Sequence, residues 1–159
     1  MLPYGGSMMH DGAMNLIDAL LGEHAVLYAL FNELEQRIER AGSVAEVQAA
    51  VAPVAAALLS HAHLEEQLLF PALERGMGHE GPLTVMRGDH HDIDELLAQS
   101  AKATDQARAV GDVLAALELA RDHFLKEERV LFHMARQSID DVELHRLGGQ
   151  WAEQRAVTL

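Results

Sequence analysis

The chain has 159 residues, of which 49% are hydrophobic and only 4% aromatic, and its formal net charge is −13. That length suits one domain with one sizeable core, and a composition rich in Ala and Leu but poor in aromatics favours helices over strands. The absence of cysteine excludes disulfides, thiolate zinc sites, iron–sulfur ligation and thiol nucleophiles, and the acidity argues against nucleic acid or an anionic membrane as a partner.

Residues 1–13 read as a flexible lead, with Gly5, Gly6 and Gly12 as breakers and no basic, apolar secretory signal. No apolar run approaches the roughly 18–20 residues of a membrane span, so the expected location is cytoplasmic. The remainder, residues 14–156, is expected to be one domain. A first helix is expected from Asn15 to Ala41, its apolar stripe formed by Leu16, Leu20, Leu27, Leu30, Phe31, Leu34 and Ile38. Ser43-Val-Ala-Glu46 has the form of a capping box. It starts a second helix that runs to Gly76, with Pro53 as an expected kink.

Glycines and a proline mark residues 76–82 as a loop. A third helix is expected from Leu83 to Val110. Gly111 and Asp112 then read as a break and an N-cap for a fourth helix, which runs to Gln137. Asp140 and Asp141 offer caps for a short fifth helix ending near Arg155, although Gly148 and Gly149 weaken it. The fold class is all-α: a left-handed, antiparallel up-down-up-down four-helix bundle with a short C-terminal fifth helix.

The strongest signal is a repeated phrase. Residues His61 to Phe70 and His123 to Phe132 both read HxxxEExxLF. Positions i and i+4 share one helix face, so each copy presents an imidazole and a carboxylate together. The repeat extends one helix upstream, where Gly22-Glu-His24 matches Gly88-Asp-His90. Apolar residues follow at +3, +6 and +7 from both His24 and His90, a register that selects His90 over His91. The pair His91 and Glu95 also fits HxxxE, but this register turns it to solvent.

Four imidazoles (His24, His61, His90, His123) and two carboxylates (Glu65, Glu127) therefore converge. Divided between two metals, each receives two imidazoles, and the carboxylates bridge both. Nitrogen and oxygen donors without sulfur suit iron, manganese or zinc. Iron is preferred because open positions on adjacent redox metals admit O2, NO or peroxide. Tyr28 and Asp94 stand four residues after His24 and His90 and are candidates for further ligation or for a hydrogen bond to a ligand. Glu66 and Glu128 are expected at the bundle seam or in solvent, and His63 in solvent.

These residues resemble the hemerythrin-like, cation-binding HHE domain family over about residues 14–155. The resemblance implies a four-helix bundle with a non-haem di-iron centre, oxo- or hydroxo- and carboxylate-bridged. Members of that family include O2 carriers, O2, redox and iron sensors, and repair-of-iron-centres proteins linked to nitrosative stress. Leu69-Phe70-Pro71 follows the family pattern, whereas His133 replaces the proline in the second copy. The O2 carriers use a fifth His one turn after the third-helix His, where this chain has Asp94, and Met86 lies one turn before it. The chain is thus most similar to the four-His, two-carboxylate form of the repair proteins, without their cysteine-containing N-terminal domain. The resemblance implies small-ligand chemistry in oxidative or nitrosative stress defence. The alternative is an O2 or iron sensor, or an O2-storage module, without turnover. A ferritin-like carboxylate centre would need Glu three residues before His, and no His here has that.

Overall fold

A computed structural model describes residues 14–77 and 81–158. The expected N-terminal lead lies outside them, as do residues 78–80 of the expected loop. Among the described residues every regular element is helical. Helix α1 covers Leu16–Arg40. Helix α2, Val44–Leu64, passes through one π-helical turn at Glu65–Leu69 into α3, Phe70–Met77. Helix α4 covers Pro82–Lys102. Helix α5, Gln106–Lys126, passes through a second π-helical turn at Glu127–Leu131 into α6, Phe132–Ser138. Helix α7 covers Asp141–Arg155.

Side-chain caps fix the helix starts. Asn15, Ser43, Asp105 and Asp140 each accept a backbone N–H three residues on. Glu46 returns to the Gly42 N–H at 2.8 Å, a variant of the capping box one residue early. The chain passes through Pro53 inside α2.

The third and fourth helices differ from the sequence expectation. The break lies at residues 103–105, not at Gly111-Asp112. Asp105 caps the Arg108 N–H at 2.8 Å, and Gln48 donates to the carbonyls of Ser100, Ala101 and Ala103 at the end of α4. Those contacts satisfy part of the orphan groups that the two termini leave. Gly111 costs its helix only about 1 kcal/mol, and Asp112 is buried against the Arg108 guanidinium at 2.8 Å. Two local turn signals are thus overridden by tertiary contacts.

The helices form a bundle with two apolar clusters. One holds Leu16, Leu20, Leu69, Phe70, Phe132 and Leu147, among others. The second holds Phe31, Leu34, Val47, Val113, Leu117 and Phe124, among others. A polar layer lies between them, because each core helix places a His, and two of them a following Glu, in its buried stripe at that level.

The stretch Val44–Gly76 is long and apolar enough to cross a membrane by length and composition. That corrects the expectation that no segment approaches such a span. Alanines at 49, 50, 52 and 55–57, with no charge between Glu46 and Glu65, give the segment its apolar character without a long aliphatic run. In the bundle Val47, Val51, Val54 and Leu58 of this helix are buried.

Gly148 and Gly149 do not break α7. A Cβ at Gly148 would overlap the Met14 carbonyl oxygen, so the glycine permits backbone contact between α7 and the start of α1. A Cβ at Gly149 meets nothing within 4 Å. Gly148→Ala should therefore destabilise by about 1–3 kcal/mol, as overpacking does. Gly149→Ala should stabilise by up to about 1 kcal/mol through helix propensity. Denaturant unfolding of both variants checks this, and equal effects would contradict the close approach.

Candidate metal centre

His24 sits between Leu20 and Leu27 in the buried register of α1, and His90 between Met86 and Ile93 in α4. His61 and Glu65 follow Leu58, and His123 and Glu127 follow Ala120, each at core spacing. Packing of the apolar stripes therefore carries all six polar groups inward. His24, His61 and His123 are 1% exposed, Glu65 and Glu127 0%, and His90 9%.

The six form two clusters that share both carboxylates: His24, His61, Glu65 and Glu127, and Glu65, His90, His123 and Glu127. In each cluster one ligand atom per residue lies within 4.8 Å of the others. The carboxylates divide their oxygens between the clusters. Glu65 Oε1 is 3.2 Å from His61 Nε2, and its Oε2 is 3.3 Å from His90 Nε2. Glu127 Oε2 is 3.2 Å from His24 Nε2, and its Oε1 is 3.1 Å from His123 Nε2.

Each outer imidazole nitrogen meets a further carboxylate. His24 Nδ1 is 2.9 Å from Glu128, His61 Nδ1 2.7 Å from Glu23, His90 Nδ1 2.8 Å from Glu66, and His123 Nδ1 3.2 Å from Asp89. An ionised carboxylate only accepts, so each Nδ1 carries the hydrogen and donates it. Burial raises the Glu23 carboxyl, but hydrogen bonds from His61, Arg155 and Trp151 outweigh it and hold the pKa at about 2. Burial likewise raises Asp89, which Lys126 and His123 hold below the usual range.

These four locks were not assigned from the sequence. Glu66 and Glu128, expected at the seam or in solvent, are 41% and 28% exposed yet reach the imidazole of a different helix. The sequence signal was present: both copies carry a doubled Glu, and both upstream His follow an acidic residue. The π-helical turns begin at Glu65 and Glu127, where the N–H of Phe70 and of Phe132 reaches back five residues to the Glu carbonyl. Such turns cluster at functional sites.

Tyr28 and Asp94 lie outside both clusters. The Tyr28 hydroxyl donates to Glu128 at 3.3 Å, and burial with the Glu128 charge raises its pKa to about 12. Asp94 is exposed. His63, His91 and Glu95 are exposed, as expected.

The donor chemistry calls for cations. With Nδ1 donating outward, an imidazole in its neutral form turns a bare Nε2 lone pair inward. His24 and His61 bring theirs to 3.1 Å, and His90 and His123 to 3.0 Å. All four oxygens of Glu65 and Glu127 are buried without a hydrogen-bond partner. Lone pairs packed so closely repel unless protons or metal ions lie among them. The pKa directions express the same demand. Burial lowers the His61 pKa, but Glu65 and Glu23 outweigh it and raise it to about 10. Burial lowers the His123 pKa too, and Glu127 raises it above its ordinary value. The residues present fit a metal pair.

Comparison with known proteins agrees with this chemistry. The sequence pattern of the hemerythrin HHE cation binding domain matches residues 15–135. The chain is 42% identical over 57 residues to the iron-sulfur cluster repair protein YtfE of Enterobacter sp. (strain 638), a match covering 35% of this chain and 26% of that protein. It is 50% identical over 42 residues to the protein of the same name from Citrobacter koseri, covering 25% and 19%. It is also 26% identical over 152 residues to a DNA nickase of Nostoc sp., covering 92% and 41%. The chain thus spans less than half the length of each of these relatives. No solved structure matches. Its two shared-carboxylate clusters lie within the matched residues, and the chain belongs to the hemerythrin HHE cation-binding domain family.

Proposed function

We propose that the chain holds two iron ions in its polar layer and binds and reacts with O2, NO or peroxide there, in oxidative or nitrosative stress defence. The observation that carries this reading is the division of the Glu65 and Glu127 oxygens between two His pairs. His24 and His61 would hold one ion, His90 and His123 the other, and the two carboxylates both. Sulfur-free nitrogen and oxygen donors suit iron, which when bound supplies redox capacity and positions for a small ligand.

The chain's own residues orient and insulate. Glu23, Glu66, Asp89 and Glu128 fix the tautomer and ring plane of each imidazole. Tyr28 steadies Glu128. The apolar clusters on either side exclude bulk water. The short joins at residues 41–43 and 103–105 support core rods that alternate up and down in a left-handed bundle. A net charge of −13 opposes approach to a phosphate backbone, so the nickase likeness does not change this reading. The proposed setting is the cytoplasm, without membrane or nucleic-acid partners.

Metal analysis of protein purified without added metal should find two irons per chain. His61→Ala or Glu127→Ala should lose at least one, and full occupancy in either variant would remove that residue from the ligand set. Repeated consumption of peroxide or NO identifies a reactive centre, whereas stoichiometric binding alone identifies a sensor or store.

Stability of the metal-free protein should depend on pH in a stated direction. The His61 pKa is raised from 6.5 to about 10. The stability it contributes is fully present below 6.5 and is lost as pH rises through the raised value. The melting temperature of metal-free protein should therefore fall across that window. Iron displaces the same proton, so apparent iron affinity should rise with pH over it. A flat or rising metal-free melting temperature there would contradict the cationic pocket.

A further inference from the structure

The two halves of the centre follow one design, so their differences are informative. Phe124 follows His123, and Ala62 stands at the matching place after His61. Phe124 is buried and stacks on His24 with ring centroids 3.9 Å apart and planes 12° apart. Tyr28 packs edge-on against it at 5.5 Å, and Phe31 stacks on it at 5.9 Å. Arg121 lies 5.6 Å over the Phe31 ring and pairs with Glu35. The flank of the His24 half is thus covered by aromatic rings and a guanidinium.

The matching positions on the other half are Ala62, Asp94, Leu97 and Leu59. None of these is aromatic or basic. Ala62 is half-buried, and Leu59 and Asp94 are exposed. Two neighbouring hollows share lining residues there. A surface hollow of about 300 Å³ is lined by Leu59, Ala62 and His90 and by the polar side chains of Glu66, Arg87 and Asp94, among others. Behind it lies a cavity of about 10 Å³, walled by Leu58, Leu59, Ala62, Ile93 and Phe124 and by the imidazoles of His61, His90 and His123. Leu59, Ala62 and His90 line both hollows. The inner cavity has room for about one water-sized molecule. His90 is also the most exposed of the four imidazoles, at 9%.

We propose that this passage at Ala62 is the entry for a small uncharged ligand, which reaches the centre at its His90–His123 half. The proposal rests on the metal reading above. In the inner cavity, Leu58, Leu59, Ala62, Ile93 and Phe124 favour a neutral molecule of diatomic size over an ion, which would shed its hydration to enter. A larger groove, of about 450 Å³, lies beside α1 and touches His61, Glu23, Trp151 and Arg155. It meets His61 where Glu23 holds Nδ1 and itself accepts hydrogen bonds from Trp151 at 2.8 Å and Arg155 at 2.6 Å. A molecule in that groove faces the carboxylate lock, not the inward nitrogens.

The test places on the open half the ring that the covered half already has. Ala62→Phe in iron-loaded protein should slow NO association, followed by stopped-flow absorbance, by about tenfold or more. Iron content and melting temperature should stay near wild type. Ala62→Leu, a smaller intrusion that guards against misfolding, should slow it less. A wild-type association rate in either iron-replete variant overturns the proposal. A second readout needs no iron: crystals of metal-free protein frozen under oxygen pressure should show O2 between Leu58, Ala62 and Ile93, and none there in Ala62→Phe. Oxygen found only in the groove beside Trp151 would overturn the passage. Protein that binds no iron would sink the metal reading and leave the oxygen-pressure result to decide the route.

Discussion

An excess of inward lone pairs governs the rest of the structure. Four imidazole nitrogens and four carboxylate oxygens face one another in a layer between two apolar clusters, and among the described residues the four oxygens have no hydrogen-bond partner. Burial makes this arrangement costly without compensating positive charge. Protons can supply it, as the raised His61 and His123 show. Metal ions supply it more completely, because one cation contacts several donors at once. The outer carboxylates are part of the same device: by taking the Nδ1 hydrogens they leave the Nε2 atoms bare.

Much of this was legible in the sequence. The repeated HxxxEExxLF phrase and the upstream His24 and His90 identified the six central groups, because the i,i+4 rule and the apolar register act within single helices. What the sequence hid depends on contacts between helices. The four Nδ1 locks each join different rods, so no spacing within one helix reveals them. Asp94, four residues after His90, passes the spacing test but turns outward, since Ile93 and Leu97 take the buried face of α4. The end of α4 was misplaced for a related reason. Gly111-Asp112 is a good local break signal, but Asp105 and Gln48 make better tertiary caps at residues 103–105. The π-helical turns left no compositional mark.

The near-symmetry of the two halves is broken from outside as well as within. Trp151 and Arg155 of α7, beyond the residues matched to the family, grip Glu23 and so govern the plane of His61. The equivalent Asp89 takes Lys126 from α5 instead. Phe124, Tyr28 and Arg121 enclose one flank, and Ala62, Asp94 and Leu59 leave the other thinly covered. The two helix pairs thus share one donor set in unlike surroundings. Donor geometry sets what the centre can hold, and the surroundings set how small molecules reach it.

Anomalous diffraction at the iron edge from iron-loaded crystals would locate the ions directly. Two peaks are expected inside the polar layer, one beside His24 and His61 and the other beside His90 and His123, both touching Glu65 and Glu127. A single peak, or iron bound only at the protein surface, would contradict it.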